Sequence, residues 1–445
     1  MVPQAGTAVR RITWDDVGPL RARLQAAGLS NASFLPFVER VHASNLRRVH
    51  EGDLDHLLFY ALQSTHFTKL PPIEPALSAK AFVASLPEVD RDRFLREGIL
   101  PTTSIPAPER ARLDAMVRAL GQPSDDPRLT YFRDLASTSF GAADREAKLA
   151  REYMRVMRFV YRKEFVAARA ARPDEAVADL YRTRGLSTDT EVEAGYLVYL
   201  GLGIVKALSP ERQVRRVLIV GPGLDLAPRT SLVEAVPPQS YQPWAVIDAL
   251  LALGLADARD LEVVGADINP RVVDYLRRTA AHPPTLHIVS GVQESNGVAF
   301  TSDYRDYFDR LGAAIGDVSK DDVTSVETHR LARTIQIRPE VARVLHAEPL
   351  DIVTERLDQA FDVIIATNIL PYFDDTELML ALDNIAAMLA PGGVFLHNEA
   401  RPILADVTNA IGLPFVQSRH VIIATVRGAP APLGDSVWIH RRGGT

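Results

Sequence analysis

The stretch Val217-Leu218-Ile219-Val220-Gly221-Pro222-Gly223 constrains the fold more than any other part of this 445-residue chain. Four consecutive aliphatic residues leave no polar face, so they read as a strand buried on both sides, as in parallel sheets covered by helices. The glycines that follow at once let a nucleotide-like ligand approach the backbone where side chains would block it. Glycines also end many strands simply to make a turn. Both readings stand at this point.

The surrounding pattern changes at the same place. From Ile12 to about Ala207, apolar residues recur at three- and four-residue spacing, as in the stripe Leu54, Leu57, Leu58, Ala61 and Leu62. Pro71, Pro72 and Pro75, and again Pro101 to Pro108, interrupt that helical pattern. After Val214 short β-branched runs alternate with amphipathic helices, the signature of a mostly parallel sheet with helices on both faces. The boundary falls near Leu208 to Gln213, giving an all-α N-terminal domain over 1–208 and a sheet domain over 209–445. The expected strands are Val217–Val220, Glu262–Ala266, Leu286–Val289, Val344–Ala347, Val363–Ala366, Val394–His397, Val421–Thr425 and Ser436–His440. Leu286–Val289 and Val344–Ala347 compete to be the third strand of the sheet.

The second strand ends Val263-Val264-Gly265-Ala266-Asp267. A carboxylate at the carboxyl end of the strand beside the glycine turn can accept both hydroxyl hydrogens of a ribose. The competing reading makes Asp267 the N-cap of a helix beginning near Pro270. A third cluster, Phe361 to Phe373, is a buried strand running into the polar and aromatic loop Asn368-Ile369-Leu370-Pro371-Tyr372-Phe373. In an open α/β sheet such loops face the ligand crevice.

Together these pieces resemble the class I S-adenosylmethionine-dependent methyltransferase fold, and within it the chemotaxis-receptor methyltransferase family. The resemblance is carried by Ala266-Asp267-Ile268-Asn269-Pro270, Ile337-Arg338-Pro339-Glu340, the loop Asn368 to Phe373, and Leu389-Ala390-Pro391-Gly392-Gly393. It spans roughly Arg215 to Ala400 and implies a Rossmann-like seven-stranded methyltransferase sheet holding S-adenosyl-L-methionine. By that resemblance Gly221 and Gly223 flank the methionine part of the cofactor and Asp267, followed by Ile268, holds the ribose. Leu350 and Asp351 border the adenine, and Asn368 and Ile369 lie beside the sulfonium. Asp225 would contact the cofactor ammonium group or cap the next helix.

The chain departs from the family pattern where Leu224, Asp225 and Leu226 follow Gly223. Long spacers imply insertions near 226–242 and 292–331. The second carries Tyr304, Tyr307, Phe308 and Leu311 at helical spacing, suiting either a lid over the acceptor or a structural brace. A nicotinamide-dependent oxidoreductase is the main rival, but its GxGxxG turn needs a small residue where Leu226 stands. A non-catalytic cofactor-binding protein with the same fold is the other.

Methyl transfer needs alignment of an acceptor lone pair with the sulfonium carbon, and sometimes a base. Tyr372, His397 and Glu399 lie at or just beyond the carboxyl ends of expected strands, where such a base would sit. The acceptor is an unknown small molecule or protein side chain. Oxygen is favoured because the loop lacks the Asn/Asp-Pro-Pro-Tyr pattern associated with nitrogen acceptors.

Composition excludes several other classes. With no cysteine, thiolate chemistry, disulfides and Cys-containing zinc sites are ruled out, and the eleven histidines show no tight ligand spacing, so no metal is expected. A net charge of −6 gives no general attraction to nucleic acid. The longest apolar run, Gly195 to Val205, is too short to span a bilayer, and Met1 to Arg11 lacks the apolar centre of a secretory signal, which makes cytoplasmic the default location. Arg151, Arg155, Arg158 and Arg162 share one helix face, read as a solvated stripe or a surface for an acidic partner.

Overall fold

The computed structural model describes residues 8–75, 78, 83–84, 86–97, 105–141, 144–163, 173–227, 236–319, 329–429 and 431–443. Its contacts divide into two units: residues 1–46, 190–224 and 239–445, and residues 47–189 and 225–238. The division therefore differs from a single cut near Leu208. The reason lies in the helix Val192–Leu208, which is almost wholly apolar and whose Tyr196, Leu197, Val198, Leu202 and Val205 belong to the core of the sheet.

In chain order the first unit begins with β1 (Val9–Arg11) and the start of α1 (Asn31–Gln63), followed by α2 (Val192–Leu208), β2 (Arg216–Val220) and α3 (Gln242–Ala252). Then come β3 (Glu262–Asp267), α4 (Pro270–Ala281), β4 (Thr285–Val289), β5 (Val298–Phe300) and α5 (Ser302–Arg310). β6 (Gly316–Ser319), β7 (Ala332–Ile337), β8 (Leu345–Pro349), β9 (Glu355–Leu357) and β10 (Phe361–Ala366) lead to α6 (Asp375–Met388). The unit closes with β11 (Leu389–His397), α7 (Ile403–Ala410), β12 (Phe415–Val426) and β13 (Leu433–Arg441).

Among the described residues the main sheet has eight strands, in the order β5-β12-β13-β11-β10-β2-β3-β8, where seven were expected. The extra edge is β5, which pairs antiparallel with β12. From β8 to β11 the strands are parallel, and β13 runs antiparallel to both β11 and β12. Two apolar faces are what burial on both sides requires, and Val217, Leu218, Ile219 and Val220 of β2 are all buried. Of the two competitors for the third position, Leu345–Pro349 pairs with β3. Leu286–Val289 instead lies in a separate antiparallel sheet, β4-β7-β6. The N-terminal region is not all-α either, since β1 pairs with β9.

The insertion expected near 292–331 is described except for 320–328, and that near 226–242 except for 228–235. Within the first of these, Tyr304, Tyr307, Phe308 and Leu311 are buried in the sheet core. Tyr196 of α2 lies 5.3 Å from Tyr304 and 4.9 Å from Tyr307, ring centre to ring centre. The Tyr304 hydroxyl donates to Glu193 at 3.2 Å, and the Tyr241 and Tyr307 hydroxyls meet at 3.3 Å. This is a brace, because withdrawing α5 from the core would expose four large apolar side chains to water.

The second unit is helical. Glu88–Glu97, Ala107–Leu120, Pro127–Phe140, Arg145–Tyr161 and the later turns of α1 enclose a core that includes Leu57, Leu58, Phe132, Tyr153 and Met157. Buried Arg112 donates to the carbonyls of Ala61, Leu70 and Pro71, satisfying backbone groups where α1 ends and the proline-rich connection begins. On Arg145–Tyr161 and its C-cap, Arg151, Arg158 and Arg162 are exposed, while Arg155 is paired with Asp55 and Glu152 at 2.7 Å each.

Close packing on α2 gives a stability test. A Cβ at Gly195 would stand 2.6 Å from the Tyr241 hydroxyl and 2.9 Å from that of Tyr307, whereas one at Gly203 meets nothing within 4 Å. Gly195→Ala is expected to lower unfolding free energy by about 1–3 kcal/mol through overpacking. Gly203→Ala on the same helix should raise it by up to about 1 kcal/mol through helix propensity. Denaturant titration of both variants checks the pair.

Candidate functional site

The chain leaves β2 toward β3 and β8 on one side, then returns to β10 and β11 on the other. The order of the sheet therefore reverses between β2 and β10, and in open α/β sheets ligands bind at that reversal, beyond the carboxyl ends of the strands. Gly221 and Gly223 follow β2 there with φ of 68° and 71°, a region that side-chain-bearing residues rarely adopt. The Gly221 N–H is held by the Ala266 carbonyl at 2.8 Å, tying the turn to the end of β3. Directly across, Ile369 packs so closely that a Cβ on Gly221 would lie 2.5 Å from its Cγ2. The glycine turn and the loop after β10 are thus in contact.

Asp267 ends β3 as a buried residue, and its Oδ1 accepts the Asn269 N–H at 2.8 Å. It is not the N-cap of α4: that role belongs to Asn269, whose side chain accepts the Arg271 N–H. Ile268 is half-buried between them. The Asp267 carbonyl accepts the Leu350 N–H at 3.0 Å, which places buried Leu350 beside the same strand end.

Asp351 points elsewhere. Its carboxylate accepts from Asn45 Nδ2 at 3.3 Å, lies 3.0 Å from His42 Nδ1, and takes the Val353 N–H at 3.1 Å. These bonds tie the Asp351 carboxylate to His42 and Asn45 of α1. Asp225 is buried, and the division of contacts assigns it to the second unit.

Of the three candidate bases, Tyr372 is buried in the single helical turn Leu370–Tyr372. Arg401 fastens that turn, donating to the carbonyls of Phe373 at 2.8 Å and Leu370 at 2.7 Å. The Glu399 carboxylate folds back onto the Ala400 and Arg401 N–H groups, with Arg401 Nε 3.5 Å away. His397 is buried in an aromatic column, 4.9 Å from Phe395 and 5.0 Å from His440. Burial, reinforced by neighbouring His440, holds His397 well below the ordinary histidine value and keeps it neutral. Its Nδ1 accepts the Glu399 N–H at 3.1 Å, so the ring proton sits on Nε2. His397 packs in that column, and the Glu399 carboxylate is engaged with its own loop.

The sequence reading passed over Asn398 and Asp435. Asn368 adopts the left-handed conformation with φ of 61°. The side chain of Asn398 accepts the Asn368 N–H at 2.9 Å and donates both to Asn368 Oδ1 at 2.6 Å and to Asp435 at 2.8 Å. Gln242, at the start of α3, donates to Thr367 Oγ1 at 2.6 Å. Asn398 sits one residue beyond its strand, the same signal that drew attention to His397 and Glu399, whereas nothing local marks Asp435. Among the described residues no three metal-binding side chains cluster, and no helix is long and apolar enough to cross a membrane.

No protein-family model matches the chain, and no curated protein matches its sequence. Several solved structures are similar in part. The N-methyltransferase NodS from Bradyrhizobium japonicum WM9, in complex with S-adenosyl-L-homocysteine, aligns over 60% of this chain and 96% of its own, at 14% identity and a TM-score of 0.29. The magnesium protoporphyrin IX methyltransferase ChlM from Synechocystis PCC 6803, with bound S-adenosylmethionine, covers 62% and 99%, at 10% identity and a TM-score of 0.29. The CurJ carbon methyltransferase covers 96% and 99%, at 14% identity and a TM-score of 0.32. All three are methyltransferases by description, and at such TM-scores the likeness has no bearing on what this chain does.

The depressed value of His397 makes stability depend on pH. In the unfolded chain the imidazole takes up a proton near its ordinary value of 6.5, while the folded state resists it until the pH is much lower. The stabilising contribution is therefore complete above pH 6.5 and is lost as the pH falls below it. His440 is depressed in the same direction by burial. Between pH 7 and 5 the denaturation midpoint should fall, and His397→Phe should flatten that slope by up to about one proton.

Proposed function

We propose that the sheet unit is an S-adenosylmethionine-dependent methyltransferase domain. One observation carries the reading: the positive-φ turn Gly221–Gly223 stands at the carboxyl end of β2, where the sheet order reverses, and the carboxylate of Asp267 ends the adjacent strand β3. That pairing suits an adenosine-bearing group, because bare backbone admits close approach and a buried carboxylate accepts ribose hydroxyls. The antiparallel β13 between β11 and β12 further separates this sheet from the six-parallel-strand dinucleotide order and agrees with the class I methyltransferase resemblance.

The residues fit S-adenosylmethionine at the glycine turn, at Asp267 and at Leu350, but not at Asp351, whose carboxylate is engaged by α1. When bound, the cofactor supplies an electrophilic methyl group on a sulfonium. The chain's own part is to hold it. Gly221 and Gly223 keep side chains out of its path, Asp267 fixes the ribose, Leu350 offers an apolar edge to the base, and Asn368 with Ile369 borders the reacting end. Tyr372 remains on the acceptor side, held there by Arg401 through the backbone of its turn. Alignment in a partly buried crevice is sufficient to promote such a transfer.

Asp267→Asn keeps an oxygen for the Asn269 N–H while removing the charge. It is expected to weaken S-adenosylhomocysteine binding by about 1–3 kcal/mol in calorimetry, the cost of a charge-assisted hydrogen bond. Gly223→Val should abolish binding in a protein that still folds. Unchanged affinity in both would remove the cofactor from this crevice.

A further inference from the structure

The Asn368 amide is oriented by its neighbours. A backbone N–H only donates, so the Asn398 atom 2.9 Å from the Asn368 N–H is oxygen. The other atom of that amide, 2.8 Å from Asp435 Oδ2, is the nitrogen, which donates to the carboxylate oxygen. That fixes one orientation of the Asn398 amide. The second hydrogen of that nitrogen then reaches Asn368 at 2.6 Å, and the atom it meets is the Asn368 oxygen. Asp435 is itself held by the Ser436 N–H on its other oxygen, at 2.7 Å. The group that Asn368 has left over is its NH2. Among the described residues no partner takes it, although the residue is only half-buried, its left-handed backbone N–H is held by the Asn398 oxygen and its side-chain oxygen by the Asn398 nitrogen. Residues held in such conformations by over-determining contacts concentrate at binding sites.

Resting on the methyltransferase reading above, we propose that Asp435 and Asn398 are positioning residues that make Asn368 present a hydrogen-bond donor to an oxygen of the methyl acceptor. An NH2 group in that position stabilises a carboxylate, phenolate or carbonyl oxygen beside the transferring methyl. It opposes an amine, whose own N–H groups would face it donor to donor. The chemical class of acceptor is accordingly one with a lone-pair oxygen at the reacting end.

The test uses the full chain saturated with S-adenosylhomocysteine and three monosubstituted benzenes as probes: benzoate, and the isosteric pair phenol and aniline. Calorimetry on the unmodified chain comes first. No binding of S-adenosylhomocysteine there defeats the methyltransferase reading and this inference with it. With binding established, nuclear magnetic resonance of 15N-labelled asparagine side chains follows the Asn368 NH2 signal, identified by its absence in Asn368→Asp. Benzoate or phenol should move that signal and bind roughly tenfold more tightly than aniline, a difference of about one hydrogen bond. Asp435→Asn should weaken the oxygen probes by a similar factor with cofactor affinity unchanged, and Asp435→Glu should restore part of the loss. An aniline response equal to or greater than that of the oxygen probes overturns the proposal. So does an Asn368 signal that no oxygen probe moves, or an Asp435→Asn variant that binds them as before.

Discussion

The placement of β2 at the centre of a parallel sheet is the constraint on which the rest of the unit depends. Val217 to Val220 have no polar face to offer water, so both sides must be covered, and the α2–α3 layer supplies one of those covers. Once β2 is central, the chain turns at its carboxyl end in a space bounded by β3 and β10. That turn passes close to Ile369 and hangs from the Ala266 carbonyl, which only glycine at positive φ permits at Gly221. The candidate site is thus a by-product of burying one strand.

Polar groups around that turn fall into two kinds. Some are consumed by the fold: Asp351 clasps α1, Glu399 closes its own loop, and His397 is neutral within an aromatic column. Others have a hydrogen-bonding capacity that the fold sets but does not exhaust, as at Asn368, where one oxygen is occupied and one NH2 is left. Burial alone does not separate the two kinds, since Asp267 and Asp351 are buried to similar extents. The partners do.

The tyrosine layer shows how far a correct local reading carries. Tyr304, Tyr307 and Phe308 do form one face of a helix, and helical spacing cannot say what that face meets. Packed on Tyr196 and Glu193 it is a brace, and Gly195 leaves room for the Tyr241 and Tyr307 hydroxyls above it. The same holds for the third strand. Leu286–Val289 and Leu345–Pro349 both look like strands and both are strands, but pairing with β3 is a non-local choice.

By itself the sequence determined what periodicity and backbone chemistry can express: parallel strands in the second half, a glycine turn after the first of them, a carboxylate after the second and a polar loop after the fourth. These are legible because each depends on a few consecutive residues. It did not determine the cut between the units, because α2 reads as one more helix until its apolar faces meet the sheet. Nor did it determine β5 as an eighth strand, Asn269 as the cap in place of Asp267, or the link from Asp435 through Asn398 to Asn368. The β5 pairing joins Val298 to Val426, 128 positions apart, and Asn368 and Asp435, 67 positions apart, are joined only through Asn398 in the folded chain. A carboxylate's role follows from which donors surround it, and only the tertiary structure assembles those donors.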